Sequence, residues 1–135
     1  MRILLDTNVL VSGFTTRGLC ADVVRAVTSN HDLIICPLLL VETRRVLSEK
    51  FKMDQALVDS ILDLITEAGE PISEEPLVQT PIDDQDDIFI LSAAIHGGAE
   101  CFVTGDREIL GLESVEEMKV FSPRQFWELI TGNEG

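Results

Sequence analysis

Four short apolar runs are set at wide intervals along the chain: Ile3-Leu4-Leu5, Leu33-Ile34-Ile35-Cys36, Cys101-Phe102-Val103 and Lys119-Val120-Phe121. They are rich in branched and aromatic side chains and continuous rather than alternating, the pattern of strands covered on both faces. Between them the spacing turns helical. Cys20, Val23, Val24 and Val27 form one stripe, after which Asn30-His31-Asp32 turns the chain into the second strand. Pro37 suits the first turn of a helix that runs to about Leu47. Asp54 is placed to cap a helix presenting Leu57, Ile61, Leu64, Ile65 and Ala68 on one face and ending at Gly69. The stretch "GEPISEEPLVQTPID" holds three prolines and little periodicity, so it reads as a connector with a short strand near Ile72. Asp86 to His96 is a nearly all-apolar helix, hence central, and Gly97-Gly98 stops it. Ser122-Pro123 opens a last helix carrying Phe126, Trp127 and Ile130. Strand and helix alternate, which predicts an α/β fold on a parallel sheet covered on both faces.

With 135 residues, 45% of them hydrophobic, the chain suits one domain, residues 1–135, with 131–135 as a flexible tail. A mean hydropathy of +0.21 argues against disorder. No apolar run is long enough to cross a bilayer, and the amino terminus lacks the basic segment, apolar core and cleavage site of a leader, so the expected location is the cytoplasm with no membrane partner. Cys20, Cys36 and Cys101 lack CxxC spacing and read as core thiols rather than a disulfide framework or zinc site. The net charge of -14 does change the picture. Such a chain repels polyanions in general. Its acids are then either a solvated surface or gathered around a cation.

Four acids stand where gathering is expected. In an open parallel sheet, ligands sit beyond the carboxyl ends of the strands. Asp6 follows the first strand, and Asp106 follows the third through "TGD". Asp87 is in the first turn of the central helix. Glu42 lies on an apolar helical stripe, with Leu39 three residues before it and Val46 four after. If these converge, each pair at about 5 Å and an effective dielectric near 20 repels by roughly 3 kcal/mol. That demands protonation or a cation. All-oxygen ligation suits magnesium or manganese, ions able to activate water and clamp the oxygens of a phosphodiester. Taken singly, each residue has a plainer reading. Asp6 can cap the next turn, Thr7 and Asn8 are common turn residues, and Glu108 suits a helix amino terminus. Asp83, Asp84 and Asp86 can be caps or outer groups. His31 and His96 read as surface or cap residues, and no serine or cysteine nucleophile has a convincing base.

The segments "LLDTNVLVSG", "PLLLVETRRVL", "DDQDDIFILSAA", "CFVTGDREIL" and "VFSPRQFWELI" together resemble the PIN-domain nucleases, most of all the VapC-type toxins of prokaryotic toxin–antitoxin systems. The resemblance covers nearly the whole chain in the right order. It implies a three-layer α/β/α PIN-like fold with a central twisted parallel sheet and a magnesium- or manganese-dependent endoribonuclease. The family's acids carry over as Asp6, Glu42, Asp87 and Asp106, with Asp86 as the competing neighbour of Asp87. Asn8 matches a supporting position in the "DTN" segment that also holds Thr7, and Thr104 matches the hydroxyl before the last acid. Asp6 and Asp106 are then the most direct metal ligands, Asp87 shares that task, and Glu42 orients or deprotonates the attacking water. The resemblance further implies a homodimer and an antitoxin partner. Arg17 and Arg107 are candidates for contacting RNA phosphates; Arg44 to Lys52 reads as a solvated helix face, and Phe126 and Trp127 as packing. Two alternatives stay open. One is a PIN-type module that binds without cutting. The other is a phospho-receiver domain, although Lys119 precedes Val120 rather than proline and the strand Leu33–Cys36 ends without an acid.

Overall fold

The computed structural model describes residues 1–73 and 77–132. Six strands form one sheet: β1 (Arg2–Leu5), β2 (Asp32–Ile35), β3 (Gly69–Pro71), β4 (Cys101–Val103), β5 (Ser114–Val115) and β6 (Met118–Phe121). Their order is β3-β2-β1-β4-β6-β5. All pairings are parallel except β5 with β6, a short antiparallel hairpin at one edge that the apolar pattern does not announce. Ile3, Leu4 and Leu5 are fully buried, as are their neighbours on both sides, because the central strand is covered above and below. The helices are α1 (Thr7–Thr15), α2 (Leu19–Asn30), α3 (Pro37–Arg45), α4 (Gln55–Ala68), α5 (Gln85–His96), the single turn α6 (Arg107–Leu110) and α7 (Pro123–Thr131). The steps from β1 to β2 to β3 move outward along the sheet, whereas β3 to β4 jumps back. Right-handed crossovers therefore place α1–α4 on one face and α5 on the other, giving three layers.

Several local expectations shift. Thr7 and Asn8 do not form a turn; they begin α1, which starts directly after Asp6. The helix from Pro37 passes into a π-helical turn, Val46–Lys50, before the chain breaks. On α4 the buried face is Val58, Ile61, Leu62 and Ile65, so Leu57 and Leu64 are 50% and 57% exposed instead of inward. The strand in the connector lies at Gly69–Pro71, and Ile72 N–H still extends its ladder to Ile35 O at 2.8 Å. Beyond residues 74–76, which lie outside the described residues, the connector is tied down. Val78 N–H donates to Ser92 Oγ at 2.9 Å, that hydroxyl donates to Ile88 O at 2.7 Å, and Ile82 is buried. At the other end of the chain Thr131 still belongs to α7, Gly132 closes it in the left-handed conformation at φ 68°, and residues 133–135 lie outside the described residues. No disulfide joins Cys20, Cys36 and Cys101 among the described residues, and Cys36 and Cys101 are buried. Among the described residues no helix is long and apolar enough to cross a membrane.

The sheet and α1 meet the rest of the molecule at close quarters. Gly13 faces α2, where an added Cβ would collide with Val24 Cγ2 and come within 3.1 Å of Cys20 O. This lets α1, and with it the Asp6 end of β1, sit tightly on α2.

Candidate active site

The parallel strands β1 and β4 deliver their next residues to the same edge of the sheet. Asp6 N–H donates to Val103 O at 2.9 Å, which locks the two strand ends together. Asp6 is only 7% exposed. Its Oδ1 accepts Thr7 N–H at 2.9 Å, making it the cap of α1. Its Oδ2 accepts the Thr104 hydroxyl at 2.8 Å. The same Thr104 Oγ1 accepts Asp106 N–H at 3.0 Å, so one buried hydroxyl bridges the two strand-end acids. Asp106 in turn caps α6, with Oδ1 accepting Glu108 N–H at 2.8 Å and Ile109 N–H at 3.2 Å. Glu108 is an exposed first-turn acid there.

Glu42 approaches from α3. Its Oε1 accepts the Thr7 hydroxyl at 3.0 Å, which ties α3 to the residue after Asp6. Asp87 comes from the first turn of α5, whose cap is Asp84: Asp84 Oδ1 accepts Asp87 N–H at 3.0 Å. Asp87 is half-buried while Asp86 is exposed, yet Asp86 is one of the groups that raise the Glu42 carboxyl. Both members of the adjacent pair therefore act on the other acids, Asp86 on Glu42 and Asp87 through the shared field.

The electrostatics tie the four acids together. Burial pushes the Asp6 carboxyl up from its ordinary value; the bonds from Thr104 and Thr7 pull it back and the charge of Asp106 adds to the rise. Glu42 is also raised, first by burial, then by Asp86 and Asp6, against the Thr7 bond. Asp87 is raised to about 7, by burial first and then by Asp84, Asp6, Asp106 and Glu42. Every charged group acting on these three acids is itself an acid. Among the described residues the site has negative charge without a balancing cation, and its donors are all oxygen, which fits a hard divalent ion. The acids sense one another without closing up: among the described residues no three carboxyl, imidazole or thiol groups form a ready coordination shell.

The remaining candidates fall differently. Arg107 is exposed beside Asp106 at the start of α6. Arg17 follows the far end of α1, about 14 Å of helix rise from Asp6. Asn8 is exposed on α1, and no hydrogen bond of its side chain occurs among the described residues. Asp84 has a larger part than a cap alone, since its charge is the strongest acting on Asp87. Ser92, which pins the connector leading to Asp84, was not singled out from the sequence. Its only signal there is a hydroxyl within an apolar helix, where such a group bonds back to the preceding turn.

Residues 2–108 match the family model described as PIN domain. Two solved structures share the fold. The crystal structure of VapBC2 from Rickettsia felis, bound to a DNA fragment from its promoter, aligns with a TM-score of 0.64 at 18% identity, covering 90% of this chain and 98% of the other. VapBC-1 from nontypeable Haemophilus influenzae aligns with a TM-score of 0.60 at 15% identity, covering 92% of this chain and 99% of the other. No curated protein matches the sequence significantly.

Proposed function

This chain belongs to the PIN domain family, and from that premise we propose that it is a magnesium- or manganese-dependent endoribonuclease, the toxin of a toxin–antitoxin pair. The observation that carries the reading is that, at the carboxyl edge of the sheet, the charged groups acting on Asp6, Glu42 and Asp87 among the described residues are other acids, Asp106 included. Asp6, Asp106 and Asp87 would hold the ion. A divalent ion bound there supplies Lewis acidity to phosphodiester oxygens. Thr104 fixes one oxygen of Asp6 and the backbone of Asp106, so those two carboxyls are aimed before substrate arrives. Glu42, steadied by the Thr7 hydroxyl, has an elevated affinity for protons, which suits it to orient water and take up a proton. Arg107 stands beside Asp106 where a neighbouring phosphate would lie. The likeness to VapBC assemblies supports an antitoxin partner; pairing as a homodimer and action in the cytoplasm belong to the same proposal. The receiver-domain alternative falls with membership of the PIN family.

The test is cleavage of a labelled single-stranded RNA with manganese, magnesium or EDTA, comparing wild type with Asp6→Asn. Cleavage that needs the metal and drops at least about 100-fold in the variant is expected, the scale of losing a group that stabilises transition-state charge. Strong thermal stabilisation by manganese with no cleavage of any RNA would instead favour the non-cutting PIN module. Full activity of Asp6→Asn would overturn the site.

A further inference from the structure

Each of the four acids must be aimed before it can share an ion, and three of them are held by their own oxygens. Asp6 accepts Thr7 N–H and the Thr104 hydroxyl, Asp106 accepts Glu108 N–H and Ile109 N–H, and Glu42 accepts the Thr7 hydroxyl. Asp87 is the exception. Among the described residues no hydrogen bond reaches its carboxyl; burial and the charges of other acids are what act on it. Its direction is therefore set by the backbone that carries it.

That backbone is the first turn of α5. Asp87 is the third residue of the helix, one of the positions whose N–H has no partner within a helix. The chain arrives from the connector, which forms no strand or helix over residues 77–84. Val78 N–H on Ser92 Oγ and the burial of Ile82 fix that connector. Asp84 then begins the helix. Its backbone is extended at φ -65° and ψ 120°, its C=O accepts Ile88 N–H at 3.1 Å, and its Oδ1 accepts Asp87 N–H at 3.0 Å. The last bond ends on the very residue whose carboxyl lacks a partner. Asp84 itself is exposed, so a change there leaves the core untouched. Two plainer roles compete. An ordinary cap would affect stability alone, and a bare charge would act without the bond, since Asp84 exerts the largest charge effect on Asp87.

We propose that Asp84 is a positioning residue for the divalent ion: by holding Asp87 N–H it fixes the direction in which the Asp87 carboxyl meets the metal, without itself touching the ion. This rests on the metal reading given above and adds to it a group outside the four acids. Hydrogen-bonding groups that orient metal ligands commonly account for a factor of about 10–100 in affinity. The cap bond contributes in that way because no bond to the Asp87 carboxyl does so among the described residues.

The test measures the manganese affinity of the whole chain by titration calorimetry, without RNA. Asp84→Asn and Asp84→Ala remove the same charge, but asparagine retains a capping oxygen and alanine does not. The alanine variant should bind manganese at least about 10-fold more weakly than the asparagine variant. Asp84→Ser, another neutral cap, should follow asparagine. In an Asp87→Asn background the difference between alanine and asparagine at position 84 should shrink to within about 2-fold, because the cap acts through Asp87. Thermal midpoints in EDTA establish that each variant is folded. If Asp84→Ala is not, Asp84→Gly decides, since glycine lacks the capping oxygen and is tolerated at a helix start. Folded alanine and asparagine variants of equal affinity overturn the proposal and leave Asp84 an ordinary cap or a bare charge. A difference that persists undiminished in the Asp87→Asn background overturns it too, because Asp84 would then act independently of Asp87. Wild type that binds no manganese, or that binds it as well after Asp87→Asn, overturns the metal reading itself and takes this proposal with it.

Discussion

Asp87→Asn should stabilise the metal-free protein, and more so in mild alkali than in acid. The folded chain holds the Asp87 proton up to about pH 7, whereas an ordinary aspartate releases it near 3.8. Between those values the folded state binds a proton that the unfolded state has lost, so stability falls as pH rises through that window and the penalty is complete above it. Without screening, the gap corresponds to about 4 kcal/mol. Asp87 is partly open to water, and solvent reduces this to on the order of 1–2 kcal/mol. Asparagine is neutral at every pH and removes the penalty. For a chain of this size each kcal/mol moves the midpoint by roughly 3–5 °C, so in EDTA the variant should melt several degrees above wild type at pH 8. The gain should shrink toward pH 5, where wild type still keeps its proton. Manganese should then stabilise wild type more than the variant. Thermal unfolding at the two pH values, with EDTA or manganese, reads all three effects. A gain that is equal at pH 5 and pH 8, or a variant that melts lower at pH 8, would refute the claim that uncompensated acid charge is stored at this site.

Thr104→Val should remove the bridge between Asp6 and Asp106 and cost about 1–3 kcal/mol for the buried acceptors left behind, while Thr104→Ser should recover most of it; urea unfolding measures both. Gly13→Ala should destabilise by about 1–3 kcal/mol through overpacking against Val24, and Val24→Ala in the same chain should return part of that, a coupling that a double-mutant cycle detects. On the proposed function, RNA binding by the Asp6→Asn chain should vary only shallowly with salt, with a slope of magnitude under about 3 on logarithmic axes, because among the described residues Arg107 is the cation adjoining Asp106; a steep slope in a filter-binding titration would point to a phosphate track elsewhere.

The elements legible in the sequence were those whose pattern admits one reading. β1, β2 and β4 are built on continuous apolar runs and β6 on apolar residues flanking exposed Lys119, and each is a strand in place. The buried face of α4 was not legible, because Leu57-Ile61-Leu64 and Val58-Leu62-Ile65 both carry helical spacing. Only packing against β2 and β3 chooses between them. A two-residue strand such as β5 is too short to bear any period. Around the acids the resemblance named Thr104 and the structure supplied its reason, a hydroxyl bonded to both strand ends. Thr7 looked like a turn residue because Asp6 precedes it, but the same aspartate caps a helix, and the Thr7 hydroxyl is thereby aimed at Glu42. Arg17 is close to Asp6 along the chain but about 14 Å of helix rise from it, since α1 intervenes.

A strongly acidic chain that acts on a polyanion needs its attraction to be local. Three of its ten lysines and arginines are engaged in ion pairs among the described residues: Arg2 with Glu70, Arg25 with Asp22 and Arg44 with Asp59. What remains is scattered, so long-range steering of nucleic acid is weak and repulsive over most of the surface. Under the proposed function, the carboxyl edge of the sheet would reverse that only where its acids hold a divalent ion. The factor by which a bound ion would tighten RNA is then the factor by which RNA would tighten the ion. The -14 net charge is in that sense compatible with the proposed chemistry, since it confines productive contact with a polyanion to the one place where a cation is held.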